Sequence, residues 1–191
     1  TRTGFNLSQW AFAATSHGNP FEYRMVHDTA FGYRFHGDPG ARDGWRRHTL
    51  VGEVNDGNAY HAHGGVAGHA GLFSTARELN RLLMVLLGGG AVAGGAVGAE
   101  EARLFSPETV RVFLTPVLPN QALGWQIPSW APAGSFSHTG FTGTFVMGIP
   151  DRALSVVLLT NRQNYGVDEE TRYPDLSRFQ QDVVEALLRD S

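Results

Sequence analysis

Ser137-His138-Thr139-Gly140-Phe141-Thr142-Gly143-Thr144 is the stretch of this sequence best equipped for chemistry. A polar triplet followed by glycine on a strand lets a ligand come close to the backbone, because glycine raises no Cβ wall. Ser137 and His138 are neighbours, so on a strand they face opposite sides and cannot act as a nucleophile and its base. The bland alternative is a strand-end turn with an incidental histidine.

His61-Ala62-His63, with His69 beyond, has a spacing that a metal could use. On a strand, positions i and i+2 share a face and suit two ligands. Against a metal, Gly64-Gly65-Val66-Ala67-Gly68-His69-Ala70-Gly71 is mostly Gly and Ala, and Asp56 is the nearby carboxylate. That composition belongs to tightly packed backbone ahead of a helix, and no metal site is expected. Ser74-Thr75-Ala76-Arg77 imitates a Ser-x-x-Lys nucleophile turn, but Arg cannot serve as a base at accessible pH. No Gly-x-Ser-x-Gly elbow occurs. Thr1 would be an N-terminal nucleophile only if self-cleavage had freed it, and any chain boundary also leaves a first residue.

The elements that must position these residues come from a chain of 191 residues, enough for one ordinary domain. Charged residues make up 17%, below the roughly 25% of an average domain, and hydrophobic residues 42%, so disorder is a poor reading. Fifteen basic against eighteen acidic side chains leave a net charge of −3, which selects no polyanion and argues against nucleic acid as a partner. Every basic residue is Arg. The absence of Lys excludes a Lys base, a Schiff-base Lys or a P-loop Lys from these 191 residues. The absence of Cys excludes disulfides, thiolate zinc sites and a Cys nucleophile, and it leaves the compartment open. No apolar run of about 18 residues is present, so no membrane span is expected, and Thr1-Arg2-Thr3-Gly4 has no signal-peptide plan.

Residues 1 to about 71 lack sustained periodicity, apart from a short capped helix expected over Asn6 to Ala14. So long an irregular stretch counts against a self-sufficient domain, and a wrap around a body absent from the sequence resolves it. From Ser74 the signals sharpen. Thr75-Ala76-Arg77-Glu78 fits a capping box, Leu79, Leu82, Leu83, Leu86 and Leu87 form a helical stripe, and Gly88-Gly89-Gly90 ends it. A flexible Ala/Gly/Val connector runs to Gly98. Ser106-Pro107-Glu108 opens a helix to about Leu114. Strands are expected over Leu123 to Ile127, Ser135 to Gly140, Thr144 to Ile149 and Leu154 to Thr160, with a turn at Pro150-Asp151. Leu154 to Thr160 is nearly all apolar, as in a strand covered on both faces. Asp175 caps a last helix with Leu176, Phe179, Val183 and Leu187 as its expected buried stripe. The sum is an α+β arrangement, an antiparallel sheet with packed helices.

Four segments, taken in order, resemble the C-terminal half of the serine beta-lactamase-like hydrolases, the group of class C beta-lactamases, penicillin-binding proteins and esterases. They are Gly52-Glu53-Val54-Asn55-Asp56-Gly57-Asn58-Ala59, the run from Gly64 through Leu72-Phe73-Ser74-Thr75-Ala76 into a helix, the octet from Ser137 to Thr144, and the strand ending Leu158-Leu159-Thr160-Asn161-Arg162. The resemblance runs from about Thr3 to the C-terminus, more loosely over residues 10 to 50. It implies the C-terminal part of a beta-lactamase/transpeptidase-like fold, incomplete without upstream residues. Residues 1–191 then form a single portion of a hydrolase domain: an irregular wrap over 1–73, helices over 74–115, and antiparallel strands with a C-terminal helix over 120–191.

That family uses a Ser-x-x-Lys nucleophile, a Tyr-based second motif and a Lys-Thr-Gly-type third motif. Only the third has a counterpart here, His138-Thr139-Gly140, with His in place of Lys. The resemblance implies acyl transfer, in which an upstream Ser attacks an ester, amide or lactam carbonyl and water releases the acyl group. It makes Phe141 the backbone oxyanion donor, a contact worth on the order of 3 kcal/mol of barrier. His138, Thr139 and Gly140 become the substrate-binding residues. The implied partners are a small-molecule acyl substrate and the missing N-terminal part of the same domain; no cofactor is implied. The chain alone is expected to be inactive. The alternative is a non-catalytic binding or scaffold protein derived from this fold, with a His-rich metal-binding protein behind it. In the enzymatic reading, the strand from Ser135 to Gly140 must lie at the margin of its sheet, because an acyl substrate has to lie against it.

Overall fold

The computed structural model describes residues 14–17, 22, 27, 38, 41, 44–92, 102–170 and 172–190. The helix expected over Asn6 to Ala14 falls outside them save for Ala14, and most of the Ala/Gly/Val connector falls outside them too. Two compact units are present, one made of Thr1–Phe73 and Asn161–Pro174, the other of Ser74–Thr160 and Asp175–Ser191.

In the first unit, β1 (Ala14–His17) pairs antiparallel with β2 (Thr49–Val51), and Ala14 therefore opens a strand. Leu50 is fully buried between two exposed neighbours, the alternation of a strand with one covered face. Helix α1 spans Gly57–His63, where an irregular stretch is expected from the sequence. The reason lies at its ends. Asp56 Oδ1 accepts the Ala59 N–H at 2.7 Å, and Gly64 leaves the helix with φ +60°, a left-handed conformation that glycine adopts without cost. Ala59 is fully buried beneath it. Seven residues leave no room for an apolar repeat, so periodicity has nothing to register.

Asp56 also meets His69 Nε2 at 3.1 Å. Burial alone would raise the Asp56 carboxyl, but the Ala59 N–H and the His69 ring together hold it below its usual range. A lowered carboxyl stabilises the fold above the ordinary value of about 3.9 and loses that contribution as pH falls through the folded-state value. Asp56→Ala should cost about 1 kcal/mol at pH 7. The gap between variant and parent should narrow as pH falls from 7 through the folded-state value, which thermal melts along that pH series would read.

The second unit carries a three-stranded antiparallel sheet in the order β3 (Phe136–Thr139), β4 (Thr144–Ile149), β5 (Leu154–Leu159). Helix α2 (Ala76–Leu87) starts where Thr75 Oγ1 accepts the Glu78 N–H at 3.3 Å, and it gives way to Gly88. Helix α3 (Pro107–Leu114) starts where Ser106 Oγ accepts the Thr109 N–H at 3.0 Å. Pro150–Arg152 forms the turn between β4 and β5. Helix α4 (Ser177–Asp190) begins with its Ser177 N–H on the Asp175 carboxylate at 2.9 Å.

The sheet is sandwiched. Phe145, Met147, Ile149 and Val156 meet Val184 and Leu188 of α4 on one face. Phe136, Val146 and Val157 meet Leu83, Leu86 and Val110 of α2 and α3 on the other. β5 is thus covered on both sides, as its composition predicts.

Two details differ from the sequence expectation. The inward row of α4 is Gln180 and Val184, both buried, with Leu188 partly buried, whereas Phe179 and Leu187 are exposed. A row that contains Gln180 does not stand out by apolar type, although its Val184 and Leu188 pack on the sheet. Leu123 to Ile127 is not a regular strand: Gly124 adopts φ +77°, and only isolated bridges form, Gln121 to Gln126 and Gln126 to Ser137.

Candidate functional site

β3 is the edge strand of the sheet in the second unit, and its four residues split sharply by environment. Phe136 and Ser137 are buried; His138 and Thr139 are exposed. The inner side of β3 is fully paired, Phe136 with Gly148, Ser137 with Met147, His138 with Val146 and Thr139 with Phe145. On the outer side, among the described residues, the pairing is confined to Ser137, which exchanges hydrogen bonds with Gln126 (2.9 and 2.8 Å). The margin of the sheet is therefore closed at Ser137 and, among the described residues, carries no backbone ladder beside Thr139.

Beyond β3 the chain makes a three-residue hairpin loop, Phe141-Thr142-Gly143. Gly140 N–H donates to Thr144 C=O at 2.7 Å and Gly143 N–H donates to Gly140 C=O at 2.9 Å. Gly143 sits at φ +111°, the left-handed position that such a loop reserves for glycine. A Cβ on Gly140 would collide with the Thr144 hydroxyl, so the close approach of the two hairpin arms already requires this glycine. Glycine at 140 would also admit an approaching ligand, but the hairpin is by itself a sufficient reason for it. Phe141 occupies the second position of the turn with an exposed side chain.

The polar atoms of the strand end are held in place. His138 Nδ1 lies 2.8 Å from the Thr139 carbonyl oxygen, and Gln126 Nε2 lies 3.3 Å from Thr139 Oγ1. A carbonyl only accepts, so the ring nitrogen facing it carries a proton. The neutral imidazole then presents an unprotonated Nε2. Ser137 is buried on the opposite face from His138, so the two do not form a nucleophile–base pair. Gln126 escapes sequence reasoning, since nothing in Leu123-Gly124-Trp125-Gln126 sets it apart from an ordinary strand residue.

His61 and His63 of the first unit lie on a helix, and not on the strand that would have set them side by side as ligands. On α1, His61 and His63 are two residues apart and point to different sides of the helix. His61 Nε2 lies 3.5 Å from Glu22 Oε1, and its ring edges against Trp45 and Tyr60. His63 and His69 have ring centroids 6.0 Å apart. Among the described residues, no three His, Asp or Glu side chains are grouped so as to hold a metal ion. None of the helices there is long and apolar enough to cross a membrane. Ser74 Oγ makes only a local contact with the Thr75 carbonyl, 3.4 Å away.

An antiparallel sheet between helices, with His-Thr-Gly at the exposed end of an edge strand, defines a class that comparison with known proteins identifies. The Beta-lactamase family model matches residues 23–178, and the chain belongs to that family, one of serine hydrolases. A putative D-alanyl-D-alanine carboxypeptidase of Escherichia coli (strain K12) is 32% identical over 143 residues, covering 69% of this chain and 31% of its own length. An N-acetylmuramyl-L-alanine amidase of Bacillus subtilis (strain 168) is 34% identical over 143 residues, with the same two coverages, 69% and 31%. A putative D-alanyl-D-alanine carboxypeptidase of Salmonella paratyphi B is 35% identical over 129 residues, 61% of this chain and 28% of its own. The chain spans about a third of the length of these relatives. No solved structure matches it.

Proposed function

We propose that this chain supplies the substrate-binding strand of a serine hydrolase that works by acyl transfer, together with a Ser-x-x-Lys segment that these 191 residues do not contain. The observation that carries the reading is the placement of His138 and Thr139, exposed at the end of an edge strand whose outer side is paired only at Ser137 among the described residues. The family match runs through both compact units, which supports treating the whole chain as one portion of a hydrolase domain. In this reading an acyl substrate lies beside Thr139. The Phe141 N–H, two residues further along the alternating backbone, faces the developing oxyanion. His138 and the Thr139 hydroxyl orient the substrate. Among esters, amides and lactams, the names of the relatives favour an amide next to alanine.

A fluorophosphonate probe tests this. The chain alone should hydrolyse neither a nitrophenyl ester nor nitrocefin, and no Ser or Thr in it should be labelled. In the hydrolase that contains the chain, the Ser of Ser-x-x-Lys should be labelled. Phe141→Pro removes the donor at a turn position that tolerates proline and should slow acylation by about 10²–10³-fold, while Phe141→Ala leaves the N–H in place and should slow it far less. Labelling of Thr1, or of any Ser within 1–191, would overturn the assignment. Acylation unchanged by Phe141→Pro would do the same for the oxyanion role, and no labelling at all would favour a scaffold.

A further inference from the structure

We propose that Gln126 is a positioning residue for the Thr139 hydroxyl, an inference that rests on the substrate-binding reading of β3. Gln126 is fixed by its own backbone: it exchanges two hydrogen bonds with Ser137, at 2.8 and 2.9 Å. Its neighbours are anchored as well. Trp125 packs edge-on against the buried Phe136 ring, with centroids 5.0 Å apart, and the Ile127 N–H donates to Asn120 C=O at 2.9 Å. From this footing the carboxamide Nε2 reaches Thr139 Oγ1 at 3.3 Å.

The direction of that bond is what matters chemically. An amide N–H can only donate, so Thr139 Oγ1 accepts and its own proton stays available for another acceptor. The Thr139 carbonyl is meanwhile engaged by His138 Nδ1 at 2.8 Å. Thr139 is therefore held at both its side-chain and its main-chain oxygen, with one O–H left to give. The ligand group that fits it is an acceptor oxygen, a carbonyl or carboxylate of the acyl substrate. A hydroxyl oriented before the substrate arrives loses less freedom on binding.

Gln126→Glu separates this role from packing, because it keeps the size and the backbone bridge but replaces the donor with an acceptor. The Thr139 hydroxyl would then turn to the carboxylate and no longer offer its proton outward. In the hydrolase that contains this chain, Gln126→Glu should slow fluorophosphonate acylation by roughly tenfold, the scale of one lost hydrogen bond. Combined with Thr139→Val, it should add nothing further. In the 191-residue chain, NMR should find a Gln126 carboxamide proton exchanging slowly, and Thr139→Val should speed it up. Wild-type acylation in Gln126→Glu while Thr139→Val is slow, full additivity in the double variant, or exchange indifferent to Thr139→Val would each overturn the role of Gln126 alone. If Thr139→Val leaves acylation unchanged, the substrate-binding reading fails and the positioning role falls with it.

Discussion

Phe136→Ala should destabilise the second unit by about 3–5 kcal/mol, the cost of removing a fully buried aromatic side chain. The ring lies among Leu83, Leu86 and Val110, and Trp125 meets it edge-on. Its partner across the ladder is Gly148, where an added Cβ would run into the ring itself. The pair behaves as one object in which the glycine makes the space that the ring fills. Gly148→Ala should therefore cost about 1–3 kcal/mol through overpacking, and most of that penalty should vanish in a Phe136→Ala background. Urea midpoints of the two single variants and the double variant measure the coupling. Additive penalties would show that Gly148 is required for some reason other than the ring. Because Phe136 and His138 share a face of β3, loss of the ring should also loosen the strand end that carries the candidate site.

The parts of the fold legible in the sequence are those whose cause is local. Thr75 and Ser106 announce their helices because a side-chain oxygen there satisfies an N–H that the helix leaves open, whatever packs around it. β5 is legible because both its faces are covered, so apolar residues dominate it, and β4 because Phe145, Met147 and Ile149 alternate onto one buried face. Elements that depend on distant partners were not legible. α1 has Gly57 as its first residue and two histidines among its seven, and it exists through a cap, a left-handed glycine and the burial of Ala59. β2 is three residues long and becomes a strand only when β1 lies beside it. At the candidate site, the polar triplet before Gly140 can be read from the chain. The hydroxyl-holding contact from Gln126, thirteen residues earlier, depends on a single bridge that no local pattern encodes.

Glu22→Ala should cost the first unit about 3–5 kcal/mol, because it strands a buried guanidinium. Glu22 and Arg46 form an ion pair whose side chains are each only 2% exposed. Arg46 uses its whole fork. Nε donates to Glu22 Oε1 at 2.8 Å, Nη2 donates to the same oxygen and to Asn55 C=O at 2.7 Å, and Nη1 donates to Val54 C=O. The guanidinium also lies 4.1 Å above the Tyr60 ring centroid. One cation thus ties residue 22 to the segment that leads into α1. A Cβ on Gly57 would come within 3.1 Å of Glu22 Cγ, so the first residue of that helix is fitted to the same carboxylate. Arg46→Lys should not rescue the arrangement, since an ammonium cannot span both carbonyls and the carboxylate in one plane. Glu22→Leu combined with Arg46→Met should be less destabilising than either single change, because it removes both charges together; it should still fall short of the parent, because the hydrogen bonds from Arg46 to the Val54 and Asn55 carbonyls are lost. Chemical denaturation of Glu22→Ala, Arg46→Lys, the Glu22→Leu and Arg46→Met single variants and their double variant decides the matter. A loss below about 1 kcal/mol for Glu22→Ala would place the pair among surface ion pairs in its energetics and would remove the physical reason for a buried charge at this position.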